Sequence, residues 1–94
     1  NMKAELLKHH HQRLPNGGLI EMKIWKLPCP VPPCEHAFKY RLVYVLDGVR
    51  VVGFDNERGK GDHKHLDGKQ SAYHFVSIDQ LLDDFLSEVE RRLK

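Results

Sequence analysis

The sequence predicts a single two-layer α+β domain: a mostly antiparallel sheet of about four strands, a C-terminal amphipathic helix over residues 77–93 on one face, and a short N-terminal helix. Three observations carry this. Asp47-Gly48 stands between two apolar, β-branched runs and marks a two-residue hairpin, whose type I′ turn needs positive φ at both central positions. Residues 19–27 alternate strictly, with Ile20, Met22 and Ile24 on one side and Glu21, Lys23 and Trp25 on the other. Ser77-Ile78-Asp79-Gln80 reads as a capping box, after which Leu81, Leu82, Phe85, Leu86, Val89 and Leu93 continue an apolar stripe at helical spacing.

In chain order, residues 3–14 combine good helix formers with Leu6, Leu7 and Leu14, and Pro15-Asn16-Gly17-Gly18 ends the segment, so a short helix is expected there. With so few apolar anchors, the first 15 residues are expected to sit loosely on the domain. His9, His10 and His11 point three ways around such a helix and read mostly as exposed. The strand at residues 19–27 gives way to prolines at 28, 30, 32 and 33, which permit neither helix nor central strand and make a stiff connector. Residues 39–46 and 49–55 then form the hairpin. A register counted straight from its turn sets Tyr44 against Val51, Leu42 against Gly53 and Arg41 against Phe54, the last a cation–π geometry. Gly53 in that register signals a bulge or a close approach. Asp67-Gly68 is a second turn, running Lys64 and His65 antiparallel to Gln70 and Ser71, and Tyr73, Phe75 and Val76 read as a last strand segment. Acids early in the final helix (Asp79, Asp83, Asp84) and cations late (Arg91, Arg92, Lys94) match its dipole.

Composition bounds the function. Ninety-four residues make one domain, 1–94, with one core. A net charge of +2, from 15 Lys+Arg against 13 Asp+Glu, permits a nucleic-acid partner without demanding one. No apolar run reaches the ~20 residues of a membrane span and no signal-peptide pattern opens the chain, so a soluble, cytoplasmic protein with no membrane partner is expected. Asn1 precedes the methionine at which translation would start and is left out of the reading. Two cysteines are too few for a disulfide framework. Cys29, Cys34 and His36 offer three local zinc ligands at a spacing matching none of the common patterns, so free thiols are favoured and neither a metal nor another cofactor is expected.

The chemistry concentrates in Asn56-Glu57-Arg58-Gly59-Lys60-Gly61-Asp62-His63-Lys64-His65. Two glycines let backbone amides approach an anion, Arg58, Lys60 and Lys64 supply positive charge for phosphate binding, and histidine, with an unperturbed pKa of roughly 6.5, exchanges protons near neutrality. The i, i+2 spacing of His63 and His65 puts both on one face of an extended segment. One reading is a metal-independent nuclease: one imidazole takes the proton of a ribose 2′-hydroxyl, the other protonates the leaving oxygen, and Arg58 and Lys60 stabilise the phosphorane, with Asp62 completing the catalytic set. A metal site at Asp62, His63 and His65, with Asp55 and Glu57 nearby, is opposed by the three neighbouring cations. Binding of phosphates or of an acidic partner without catalysis is the third reading, and a solvated charged connection is the plainest.

Residues 39–56, with Lys-Tyr-Arg-Leu-Val-Tyr-Val and Val-Val-Gly-Phe-Asp-Asn, then the string from Glu57 to His65, then Phe75-Val76-Ser77 and Leu81-Leu82-Asp83-Asp84-Phe85, resemble the small TumE-like toxins of prokaryotic toxin–antitoxin pairs. The likeness covers residues 39–85, about half the chain. It implies a growth-inhibiting toxin, a cognate antitoxin bearing a DNA-binding helix-turn-helix, and contact with operator DNA only through the complex. RNA as target and endoribonuclease activity come from the residue chemistry of Arg58, Lys60, Asp62, His63 and His65. A non-catalytic nucleic-acid- or protein-binding regulatory module is the alternative.

Overall fold

The computed structural model describes residues 3–56 and 61–93. Arg58 and Lys60 therefore lie outside the described residues. Among the described residues, β1 (Glu5–Arg13), β2 (Leu19–Lys26), β3 (Phe38–Leu46), β4 (Val49–Asp55), β5 (His63–Leu66) and β6 (Lys69–Ala72) precede one helix, α1 (Ile78–Leu93). The strands form a single antiparallel meander in the order β1-β2-β3-β4-β5-β6. The fold is α+β with a C-terminal helix, as the sequence predicts, but among the described residues the sheet has six strands rather than about four and there is no N-terminal helix.

The expected helix at residues 3–14 is strand β1. Its residues have helix-forming character, but its few leucines build no face that a helix could bury, and pairing with β2 satisfies its backbone instead. Leu6 and Leu7 remain exposed, and Leu7 is the extra residue of a bulge between Leu6 and Lys8. Pro15 to Gly18, expected to stop a helix, instead turns the chain into β2, with Gly17 at φ 86° and the Asn16 amide donating to the Tyr44 hydroxyl at 2.9 Å. β2 is consequently an inner strand. Residues 20–24 therefore present no free edge, and the edges of the described sheet are β1 and β6.

The alternation of β2 holds, burying Ile20, Met22 and Ile24 opposite Tyr44, Leu42 and Tyr40. Both Asp-Gly turns form, with φ of 52° and 77° at Asp47 and Gly48 and of 51° and 86° at Asp67 and Gly68. The β3–β4 register departs from a straight count, because Val45 pairs with Arg50 but Tyr44 pairs with Val52. Val51 is the extra residue of a bulge, and its carbonyl accepts from the Asp67 amide at 2.9 Å in the next turn. Leu42 thus meets Phe54, Val43 meets Gly53 and Arg41 meets Asp55. The Arg41–Phe54 pairing is lost, and the Arg41 guanidinium lies 3.5 Å from Glu21 instead.

Residues 73–77 are not a strand. After one further bond, from the Tyr73 amide to the Asp62 carbonyl at 3.1 Å, the chain leaves the sheet to bring Ser77 to the start of α1. The helix covers the face formed by β2, β3 and β4, setting Leu81, Phe85 and Val89 on Tyr40, Leu42, Tyr44, Val52 and Phe54. Its buried stripe is narrower than the sequence pattern, with Leu86 and Leu93 exposed. Half of the capping box forms: Ser77 Oγ accepts from the Gln80 amide at 3.1 Å, while the Gln80 side chain donates to Asp84 rather than reaching back. Ser77→Ala should lower stability by about 1 kcal/mol, read as a drop in urea midpoint at unchanged m-value. None of the described helices is long and apolar enough to cross a membrane.

Candidate functional site

The described ends of the polar run, at residue 56 and from residue 61 to 65, lie where β4 leaves the sheet and β5 enters it, and the two strands place their side chains alternately on the two faces. Val52 and Phe54 point into the core, so Gly53 and Asp55 face the side away from α1. Register sets Gly53 against His65 and Asp55 against His63, so both histidines share that face, as their spacing predicts. Their rings meet edge-on, with centroids 5.4 Å apart at 74°.

His63 is buried. Its Nδ1 donates to the Gly61 carbonyl at 3.0 Å and its Nε2 lies 2.7 Å from Asp55 Oδ1, so both ring nitrogens face acceptors. Asp55 is buried with it. The Arg50 side chain runs across Gly53, with Cδ 3.0 Å from where a Cβ would stand, and so brings a cation to the strand position facing His65. Lys64 lies on the opposite, helix-side face, in register with Phe54.

Asp62 turns away from these histidines. Its Oδ1 accepts from the Tyr40 hydroxyl at 2.7 Å and from His36 Nε2 at 2.8 Å. His36 Nδ1 in turn accepts from the Phe38 amide at 3.2 Å, which fixes the ring proton on Nε2. The His36 ring stacks on Phe75 at 3.8 Å between centroids. Burial, followed by the hydrogen bond to Asp62, holds the Tyr40 phenol well above its ordinary pKa. Burial and the charge of Asp62 likewise push the Cys34 thiol up. Cys29 and Cys34 are both free.

Asn56 ties this end of the sheet to the proline connector. Its Oδ1 accepts from the Tyr40 amide at 3.0 Å, and its amide donates to the Phe38 carbonyl at 2.7 Å and to Cys34 Sγ at 3.7 Å. A largely apolar cavity of about 300 Å³ opens here, with Pro33, Cys34, His36, Phe38, Asn56 and Gly61 in its walls. Residues 56 and 61, which bracket segment 57–60, therefore both border it.

Of the residues singled out by sequence, the structure brings together His63 and His65, sends Asp62 to a separate cluster and puts Lys64 on the far face. Sequence reasoning missed the roles of Tyr40 and His36 as donors to Asp62, and of Asp55 as the carboxylate facing His63. The last comes from the β4–β5 register, which pairs Asp55 with His63 and which neither Asp-Gly turn sets, since they join β3 to β4 and β5 to β6. Two groups of described residues have ligand atoms that all lie within 4.8 Å of one another: Cys34, His36 and Asp62, and Asp55, His63 and His65.

Comparison with known proteins adds the family. No curated protein sequence and no solved structure shows a significant match. The family model described as Toxin TumE matches residues 4–93, from the first strand through the last helix, a wider span than the 39–85 of the sequence resemblance. A toxin of this kind implies an antitoxin partner, and a match over nearly the whole chain places this protein in the TumE toxin family.

Proposed function

We propose that this toxin inhibits growth by gripping and cleaving RNA at the 56–65 run, through metal-independent acid–base chemistry. The observation that carries the reading is the edge-on pair His63 and His65 on one sheet face, beside a buried carboxylate and the Arg50 cation. His63, with acceptors at both nitrogens, is the proton donor to the departing 5′ oxygen. His65, the more exposed ring, takes the 2′-hydroxyl proton as that oxygen attacks phosphorus, leaving a cyclic phosphate. Arg58 and Lys60, within the run, neutralise the phosphorane charge, and Lys64 contacts the strand elsewhere along its backbone. Asp62 acts as a positioning residue, anchoring the run to Tyr40 and His36. The antitoxin is proposed to carry the helix-turn-helix that reads operator DNA, and the setting is the cytoplasm.

A non-catalytic RNA-binding module is the second reading, favoured by the engagement of both His63 nitrogens. Incubation of the purified protein with total RNA in chelator, beside a His63→Ala/His65→Ala variant checked for folding by circular dichroism, separates the two. Cleavage by the native protein, reduced about 10²–10⁴-fold in the variant, is the expected result. Binding without cleavage by both proteins supports the module, and cleavage that requires an added divalent ion overturns the metal-independent mechanism.

A further inference from the structure

The geometry points to Asp55, His63 and His65 as a binding site for a divalent transition-metal ion of the zinc class. Occupancy of that site takes both imidazoles out of proton transfer and so silences the chemistry proposed above. The binding claim stands by itself, whereas the silencing rests on the acid–base reading.

Two nitrogens and one carboxylate oxygen are a donor set suited to zinc and its neighbours. Zinc bonds of about 2.0–2.2 Å bring tetrahedral ligands to about 3.4 Å of one another, so ligand atoms already within 4.8 Å converge through small side-chain rotations. His63 is oriented for the task. Its Nδ1–H is committed to the Gly61 carbonyl at 3.0 Å, which presents Nε2 to the ion in the manner of a metal-bound imidazole held by a backbone carbonyl.

The 2.7 Å contact between Nε2 and Asp55 Oδ1 already brings two potential ligand atoms together. Metal and proton compete for those lone pairs. Asp55 and His63 are 6 % and 5 % exposed, so an ion bound there would meet the Asp55 carboxylate and the neutral His63 imidazole with little water between them. The half-buried His65 gives the route of entry. Asp55 and His65 each make further interactions, which the ion displaces or shares.

The second cluster lacks this capacity. In Cys34, His36 and Asp62, the Nδ1 lone pair of His36 is used by the Phe38 amide and its Nε2 carries the proton donated to Asp62. No imidazole lone pair remains for a metal in that arrangement.

Titration calorimetry of Zn²⁺ into the untagged full chain tests the site, in a His9→Ala/His10→Ala/His11→Ala background that removes the three consecutive imidazoles of β1 as competing ligands. One equivalent is expected to bind in that background, and His65→Ala should weaken it by at least about 100-fold. Co²⁺ substitution adds a ligand-field spectrum that the same variant should abolish. Binding that vanishes with the β1 histidines, or that His65→Ala leaves unchanged, overturns the site. In the RNA assay, cleavage in chelator that falls when Zn²⁺ is in excess supports silencing. Cleavage that Zn²⁺ stimulates overturns silencing and the metal-independent mechanism together, while calorimetry still reports the site separately.

Discussion

Phe85→Ala is expected to remove about 3–5 kcal/mol from the stability of the domain. Phe85 is fully buried at the centre of the helix face and meets Phe54 edge-on, 6.1 Å between centroids, while Phe54 meets Tyr73 in the same manner at 5.0 Å. Truncation therefore removes the largest side chain that α1 contributes to the core and leaves a cavity against β4, which close packing of a two-layer domain does not readily fill. Domains of this size hold only about 5–15 kcal/mol in total, so the variant should be partly unfolded near body temperature. Urea titration followed by circular dichroism reads the change. A loss below about 1 kcal/mol would mean that the helix does not seat as described. Leu86→Ala, one residue on and 45 % exposed, is the contrast, with a change inside about 0.5 kcal/mol.

Asp62→Ala should be nearly as severe, for a different reason. A single oxygen accepts from both the Tyr40 hydroxyl and His36 Nε2, and Tyr40 is 1 % exposed. Removing the carboxylate strands two donors in a poorly hydrated place, at about 1–3 kcal/mol for each one left unpaired. Asp62→Asn, which keeps a carbonyl oxygen in the same position, should recover part of that loss. Thermal unfolding of the two variants checks the order. The consequence for activity is direct: a toxin weakened by Asp62→Ala has lost the anchor of its polar run, so its RNA assay must be compared at equal folded fraction. If Asp62→Ala is as stable as the parent protein, the shared-acceptor arrangement is wrong.

The parts of this fold that were legible in the sequence are those written in local chemistry. Asp47-Gly48 and Asp67-Gly68 announce positive φ, residues 20, 22 and 24 announce a buried strand face, and Ser77 with its apolar stripe announces α1. β1 was hidden because edge strands carry little apolar signal and its pairing with β2 outweighs the helix propensity of its residues. The bulge at Val51 was foreshadowed by Gly53 but placed elsewhere, and one extra residue shifted every pairing beyond it. In the candidate site, the shared face of His63 and His65 follows from a spacing of two. The meeting of Asp62 with His36 and Tyr40 does not, since those partners stand 26 and 22 residues away and are joined only by the folded connector.

Every strand of the sheet pairs with the strand next to it in the chain. Such a meander closes only short loops as it grows, so little chain entropy opposes its assembly and the sheet can zip in the order of synthesis. α1 is different, because it comes last and must fold back across β4 to shelter Ile24, Leu42, Val52 and Phe54. A copy lacking the turns of α1 that carry Phe85 and Val89 therefore displays a greasy, unshielded sheet. The apolar face of the sheet is thus completed only when α1 has folded onto it.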